Sequence, residues 1–202
     1  MTATATATAT PRRRSYRMVA RAEAVAATRE KILAAAWRRF ADVRYEDVRI
    51  ADVAADAGVS AQTVHSQFGT KDRLFVSAWR WTFGPEGVRR DSAPAGDVRA
   101  AVRVLYDSYE LHGDASLRLL AEEDRIPAIR EMTDAGRAWH RAWVERTFAP
   151  LLARARGSAR ERRAVKLVVA TDILVWKLLR REMRLDRATA ERIVIDMVKG
   201  AS

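Results

Sequence analysis

Two short helical patterns meet head to tail within residues 50–68, and that junction constrains the fold more than any other feature of the chain. Ile50, Val53, Ala54 and Ala57 recur at helical spacing, and Ala61, Val64 and Phe68 do so again after an interruption by Gly58, Val59 and Ser60. Helices this short are not stable alone in water, so both must lie on a third element. Upstream, from Thr28, the residues Ile32, Leu33, Ala36, Trp37 and Phe40 form one apolar stripe that can brace them. The interruption itself suits a sharp change of direction. Ala54 is small where the two helices cross, Gly58 accepts a left-handed backbone, Val59 fills the corner, and the Ser60 hydroxyl can cap the following helix. The period breaks around Val43–Tyr45, and Asp47 is the expected cap of the first short helix.

The rest of the chain keeps the same period. A fourth helix is expected from about Lys71 through Leu74, Phe75 and Ala78 to Phe83, ended by Gly84, Pro85 and Gly87. Asp97 should cap a helix whose Val98, Ala101, Val102, Leu105, Tyr106 and Tyr109 share one face, and a short helix after Gly113 carries Leu117, Leu119 and Leu120. Pro127 opens a long helix with Ile129, Met132, Gly136, Trp139, Trp143, Phe148 and Leu151 inward and a kink near Pro150. Leu167–Leu179 is apolar except for Thr171, Asp172 and Lys177. Asp186 then caps a last helix with Ala190, Ile193, Val194, Met197 and Val198 on one stripe, closed by Gly200. No segment alternates apolar and polar residues as a half-buried strand does. The chain reads as all-α, with an N-terminal three-helix helix-turn-helix domain and a larger C-terminal helical domain.

Charge narrows the choice of partner. The formal net charge is +11, and positive charge is densest at the N-terminal end, where Arg12, Arg13, Arg14, Arg17 and Arg21 face only Glu23. Coulomb attraction and counterion release favour a polyphosphate there. Thr2–Thr10 is a Thr/Ala alternation with nothing to bury, so residues 1–27 read as a disordered basic arm able to lie along DNA. The chain has no Cys, which excludes a disulfide framework and a thiolate metal site and fits a reducing cytoplasm. No stretch approaches the ~20 apolar residues of a membrane span, and the N-terminus lacks the charge-then-apolar order of a signal peptide, so no membrane partner and no processing are expected.

On the third helix, Val64 and Phe68 point inward, leaving Gln62 and Ser66 most outward, flanked by Thr63, His65 and Gln67. These short or amide side chains both donate and accept hydrogen bonds, as base edges in a major groove require. In combination, IADVAADAGVSAQTVHSQFGTKDRLF resembles the signature of the TetR-type repressor family, and TREKILAAAWRRF resembles its first helix. The resemblance covers residues 28–75 and rests on Ala54, the turn from Ala57 to Ser60, Thr63, Phe68, Lys71 and Leu74. It implies a DNA-binding domain over 28–75, a ligand-binding and dimerisation domain over 76–202, and repression of transcription relieved by a small-molecule effector. It places Thr63, His65 and Lys71 on DNA-contact positions and Gln62 on a base-reading one. With Arg49, Ser60, Ala61, Ser66 and Gln67, these make up the expected DNA-facing set. Arg44, Val48, Arg49, His65 and Gln67 depart from the family's usual residues, so no relative's operator sequence carries over. Arg49 cannot cap the second helix but can reach a phosphate.

Tyr106, Tyr109, Trp139 and Trp143 are the candidate lining of a pocket in the C-terminal domain, although aromatics there also serve simply as core. The apolar segment Leu167–Leu179, together with Ile193, Val194 and Met197, is expected to form a homodimer interface through the two C-terminal helices. No enzyme, cofactor or metal site is expected. His65, His112 and His140 lack Cys, a phosphate loop or a metal-spaced partner, and Glu122, Glu123 and Asp124 form a surface charge run. The competing reading is a nonspecific architectural DNA binder, which the charge favours and the large apolar C-terminal domain does not.

Overall fold

The computed structural model describes residues 11–201, with side chains from residue 18 onward; the Thr/Ala repeat lies outside them. It is all-α. Helix α1 spans Pro11–Asp42, a single 3₁₀ turn covers Tyr45–Asp47, and α2 (Ile50–Ala57) and α3 (Ala61–Phe68) form the helix-turn-helix. Then come α4 (Lys71–Asp91), α5 (Val98–Leu120), α6 (Pro127–Thr147), the short α7 (Ala149–Leu152), α8 (Gly157–Ala170), α9 (Ile173–Lys177) with a π-helical continuation over Leu178–Glu182, and α10 (Arg187–Gly200).

The expected disordered arm is corrected over the described residues: the chain is helical from Pro11. Ala20, Ala22, Ala24, Ala26 and Ala27 have high helix propensity, which carries α1 through without burial. Thr28 does not cap a new helix there. Its hydroxyl donates back to the Ala24 carbonyl at 2.8 Å, as a mid-helix Thr does. Side chains of α1 become buried only from Ile32 onward.

Two helices run past the Gly and Pro residues expected to end them, and one apolar segment is divided. α4 continues through Pro85, whose missing N–H leaves the Trp81 carbonyl without its helical donor, and goes on to bury Glu86 and Arg90. α5 runs straight across Gly113, because that glycine serves close approach: a Cβ there would sit 2.5 Å from the Trp176 ring. The apolar run Leu167–Leu179 is divided at Thr171 and Asp172, where Asp172 caps α9 through the Leu174 N–H at 2.8 Å. Asp47 lies within the 3₁₀ turn, and the N-cap of α2 is Arg49, which makes no side-chain cap.

Two cores result. The first joins α1–α4 around Phe40, Tyr45 and Phe75, whose rings meet with centroids 4.9–5.4 Å apart. It is completed by Leu119, Ile126, Ile129 and Met132 from the end of α5 and the start of α6. The second gathers Leu105, Tyr106, Trp143, Phe148, Leu152, Leu167, Trp176 and Val194. The helix-turn-helix therefore closes its own core against part of the C-terminal domain, and polar contacts reinforce the junction. The Arg118 guanidinium donates to the Ala41 carbonyl, Glu122 accepts the Tyr45 N–H at 3.3 Å, and Arg125 pairs with Glu46.

Candidate nucleic-acid interface and adjoining cavity

The turn between α2 and α3 has the geometry its residues imply. Gly58 takes φ 68° and ψ 35°, and its N–H bonds back to the end of α2. Ser60 accepts the Thr63 N–H at 3.1 Å, and its hydroxyl also meets the Thr63 hydroxyl at 2.9 Å. Val53, Ala54 and Val64 are buried and Val59 packs on them, so the position of α3 is set by the first core. An ion pair at 2.6 Å between Arg39 and Asp56 ties α2 to α1, and the Arg29 guanidinium lies 4.4 Å from the Phe68 ring centre.

Gln62, His65 and Ser66 are exposed together on α3, Ala61 and Thr63 are half-buried beside them, and Ser60 is exposed at the helix start. The His65 Nδ1 lies 3.2 Å from the Gly69 carbonyl, and the Ser66 hydroxyl donates to the Thr63 carbonyl at 3.2 Å. Gln67 is half-buried with its amide oxygen enclosed and without a partner, which sets it apart from the outward group. Arg49 is exposed and makes no ion pair among the described residues. Lys71 is tethered. Its Nζ donates to the Glu46 carbonyl at 3.0 Å and lies 4.7 Å from the Tyr45 ring centre, and burial holds the ammonium below the usual lysine range. Thr70, absent from the expected set, caps α4 by accepting the Arg73 N–H at 3.2 Å. Its signal was readable as a Thr three residues before Arg73, at the start of an apolar run.

Behind this surface a cavity of about 510 Å³ opens between α4, α5, α6 and the α8–α9 junction. Tyr109 and Trp139 line it, as expected; Tyr106 and Trp143 do not. Both are fully buried in the second core instead, and Trp143 supports the wall from behind by donating its indole N–H to the Arg90 carbonyl at 3.2 Å. Trp79, Phe83, Leu120 and Met132 add apolar wall.

The polar wall is what periodicity missed, because α4 was expected to end before it. Arg90 is 6% exposed, donates to the Ser108 hydroxyl at 3.2 Å, and stands 5.0 Å from the ring centres of both Tyr109 and Trp139. Glu86 is 4% exposed, with Arg89 at 3.4 Å and the His112 Nε2 at 3.8 Å. His140 stacks on Trp143, and its Nε2 lies 3.1 Å from the Thr171 hydroxyl. Burial pushes its pKa down to about 4, with the Arg90 charge acting in the same direction, so it is neutral near pH 7. Burial also pushes the Tyr109 hydroxyl up to about 12, against the nearby Arg90 charge; that hydroxyl donates to the Thr171 carbonyl at 2.9 Å. Among the described residues no three His, Cys, Asp or Glu side chains gather as a metal site, and no helix is long and apolar enough to cross a membrane.

A braced two-helix unit with an exposed polar face, set on a long all-helical domain, defines a helix-turn-helix protein of two-domain type. Residues 32–78 match the family described as bacterial regulatory proteins, tetR family. It is similar to the HTH-type transcriptional regulator CymR of Pseudomonas putida, 32% identical over 130 residues that cover 60% of this chain and 61% of the relative. The alignment thus spans about three fifths of that relative's length. A transcriptional regulator from Rhodococcus sp. Rha1 shares the fold with a TM-score of 0.67 at 20% identity, covering 86% of this chain and 95% of its own. A putative transcriptional regulator from Saccharomonospora viridis, solved in complex with choline, does so with a TM-score of 0.61 at 22% identity, covering 85% and 95%.

Proposed function

We propose that this protein is a sequence-specific DNA-binding regulator of transcription, acting in the cytoplasm as a homodimer, whose hold on double-stranded operator DNA is set by a small molecule in the C-terminal cavity. The observation that carries the reading is the face of α3. Gln62, His65 and Ser66 stand exposed together on a helix fixed by its core, with no long charged side chain among them, and Arg49 is exposed at the start of α2. That combination suits base edges flanked by phosphate. Gln62, Thr63 and His65 are assigned to bases, and Arg49 and Lys71 to phosphates, with Lys71 exchanging its Glu46 carbonyl for the DNA. Gln67 is left a marginal role. No catalytic role is assigned to any residue.

The functional division at residues 28–75 and 76–202 accords with this, since α4 belongs to both parts. It begins beside Lys71 and ends among the cavity residues. It packs on α1 through Trp37 and Phe83, edge to face at 5.3 Å, and Pro85 weakens the helix within the stretch that lines the cavity, from Trp79 to Arg90. A ligand pressing on Arg90 and Gly87 would tilt α4 about that point and shift α3 with it. The choline held by a protein of this fold supports a site for a small organic molecule.

For the dimer, exposed Val165 and Val169 on α8, Leu174 and Leu178 on the α9 segment, and Met197 on α10 support a shared apolar face. Val194 belongs to the core of its own subunit and Ile193 packs partly on it, so Met197 is the exposed apolar residue that α10 contributes.

Selection of bound sequences from a random pool of DNA duplexes tests the whole reading. A recovered two-fold motif, bound at least a hundredfold tighter than random DNA, supports it. Equal binding to random DNA would instead favour the architectural binder that the charge of +11 allows.

A further inference from the structure

Arg90 is a buried cation without a counter-ion. At 6% exposure it forms no ion pair among the described residues; it donates to the Ser108 hydroxyl at 3.2 Å and lies beside the Tyr109 hydroxyl, and its Nε is enclosed without a hydrogen-bond partner. A buried, unmatched charge is costly, and one kept on the wall of a cavity is relieved when a ligand brings the opposite charge. The other buried ion on this wall is not in the same position. Glu86 has Arg89 at 3.4 Å and the His112 Nε2 at 3.8 Å, with its Oε2 enclosed and unpartnered, and the more exposed Arg137 is matched by Glu123 at 2.6 Å. Arg90 is therefore the buried charge on this wall that has no ion of opposite sign within pairing distance among the described residues.

The surroundings specify the rest of the ligand. Arg90 already occupies the cation position over the Tyr109 and Trp139 rings, each 5.0 Å away, so an ammonium ligand would meet both a filled aromatic site and a like charge. The remaining wall is mostly apolar, with Trp79, Phe83, Leu120 and Met132 around a volume of about 510 Å³. That space accepts one or two fused rings with an acid group. A guanidinium presents a flat fork of donors that matches a carboxylate. A dianion such as a phosphate monoester would find one cation and the Glu86 carboxylate nearby.

We propose that the effector is a flat, apolar monocarboxylate whose carboxylate is held by Arg90 and whose ring system lies against Trp139. This rests on reading the cavity as the effector site. The test is calorimetric titration of the full chain with benzoate, 2-naphthoate, their carboxamides and phenyltrimethylammonium. At least one carboxylate should bind tenfold or more tighter than its own amide, with the ammonium ion weaker still. Arg90→Gln should weaken the carboxylate at least tenfold and leave the amide within about threefold. The acid-to-amide ratio in the unaltered protein reads the proposal even where that variant fails to fold. It is overturned by an amide or ammonium ion binding as tightly as the acid, by no carboxylate binding at all, or by a ratio that survives Arg90→Gln in a folded protein. Regulation is read separately. Arg90-dependent carboxylate binding that leaves operator affinity unchanged keeps this inference and removes the coupling, whereas operator release by a neutral or cationic lipophile does the reverse.

Discussion

The indole N–H of Trp143 donates to the backbone carbonyl of Arg90 at 3.2 Å, which locks the last turns of α4 onto α6. Trp143 is fully buried, while its neighbour along the helix, Trp139, is half-buried on the cavity wall. The two rings thus separate stability from binding. Trp143→Ala should cost about 3–5 kcal/mol in urea denaturation, and Trp143→Phe about 1–2 kcal/mol for the lost bond and smaller ring. Trp139→Ala should leave the midpoint nearly unchanged and alter ligand affinity. A Trp143→Ala protein as stable as the parent would mean that the wall is not held this way.

On the DNA side, bases and phosphates should respond differently. Gln62→Ala should relax preference at one operator position by about 1–3 kcal/mol, measured as binding to single-base operator variants. Lys71→Met should weaken all sequences alike and reduce the slope of log affinity against log salt by about 0.9. Unchanged base preferences in Gln62→Ala would show that α3 presents a different face to the groove.

Acid should loosen the cavity. His140 has a pKa of about 4 in the folded chain against an ordinary value of 6.5, because burial and Arg90 both oppose its cation. Between those values the unfolded chain holds a proton that the folded one does not, so stability rises with pH and is lost on acidification through that window. His112, also lowered by burial, acts with the same sign. From pH 7 to 4.5 His140 should account for about 2 kcal/mol, or a melting shift of about 4–8 °C. His140→Gln should show that much less acid sensitivity; equal sensitivity in both proteins would place the titration elsewhere.

Dimerisation should depend on residues that no contact within the subunit covers. Val169 and Leu174 are 53% and 58% exposed, on either side of the break at Asp172. Val169→Glu or Leu174→Glu should yield a folded monomer by sedimentation at micromolar concentration, with operator affinity reduced at least a hundredfold. A monomeric parent protein at that concentration would remove the dimer from the account.

The helix-turn-helix was legible because its determinants are local. The left-handed Gly58, the capping Ser60 and the inward Val64 and Phe68 each act within one or two turns of helix. The caps Asp97 and Asp186 were readable for the same reason, accepting the Ala100 and Thr189 N–H groups at 3.0 and 2.9 Å. The cavity was half legible. Tyr109 and Trp139 share a periodic face with Tyr106 and Trp143, and period alone cannot tell a ring that borders a void from one that fills the core.

By itself, the sequence determined the helical class, the α2–α3 turn and the polar face of α3, because backbone conformation and helical period are set by neighbouring residues. Tertiary structure decided where the long helices end and which charges they bury. Pro85 costs a helix about 3 kcal/mol and Gly113 about 1 kcal/mol, penalties that packing against other helices can exceed. Only because α4 survives Pro85 does Arg90 reach the cavity, where its environment is made by Ser108, Tyr109 and Trp139 from two other helices. No stretch of chain around Arg90 contains those partners, so its burial and its unmatched charge exist only in the assembled fold.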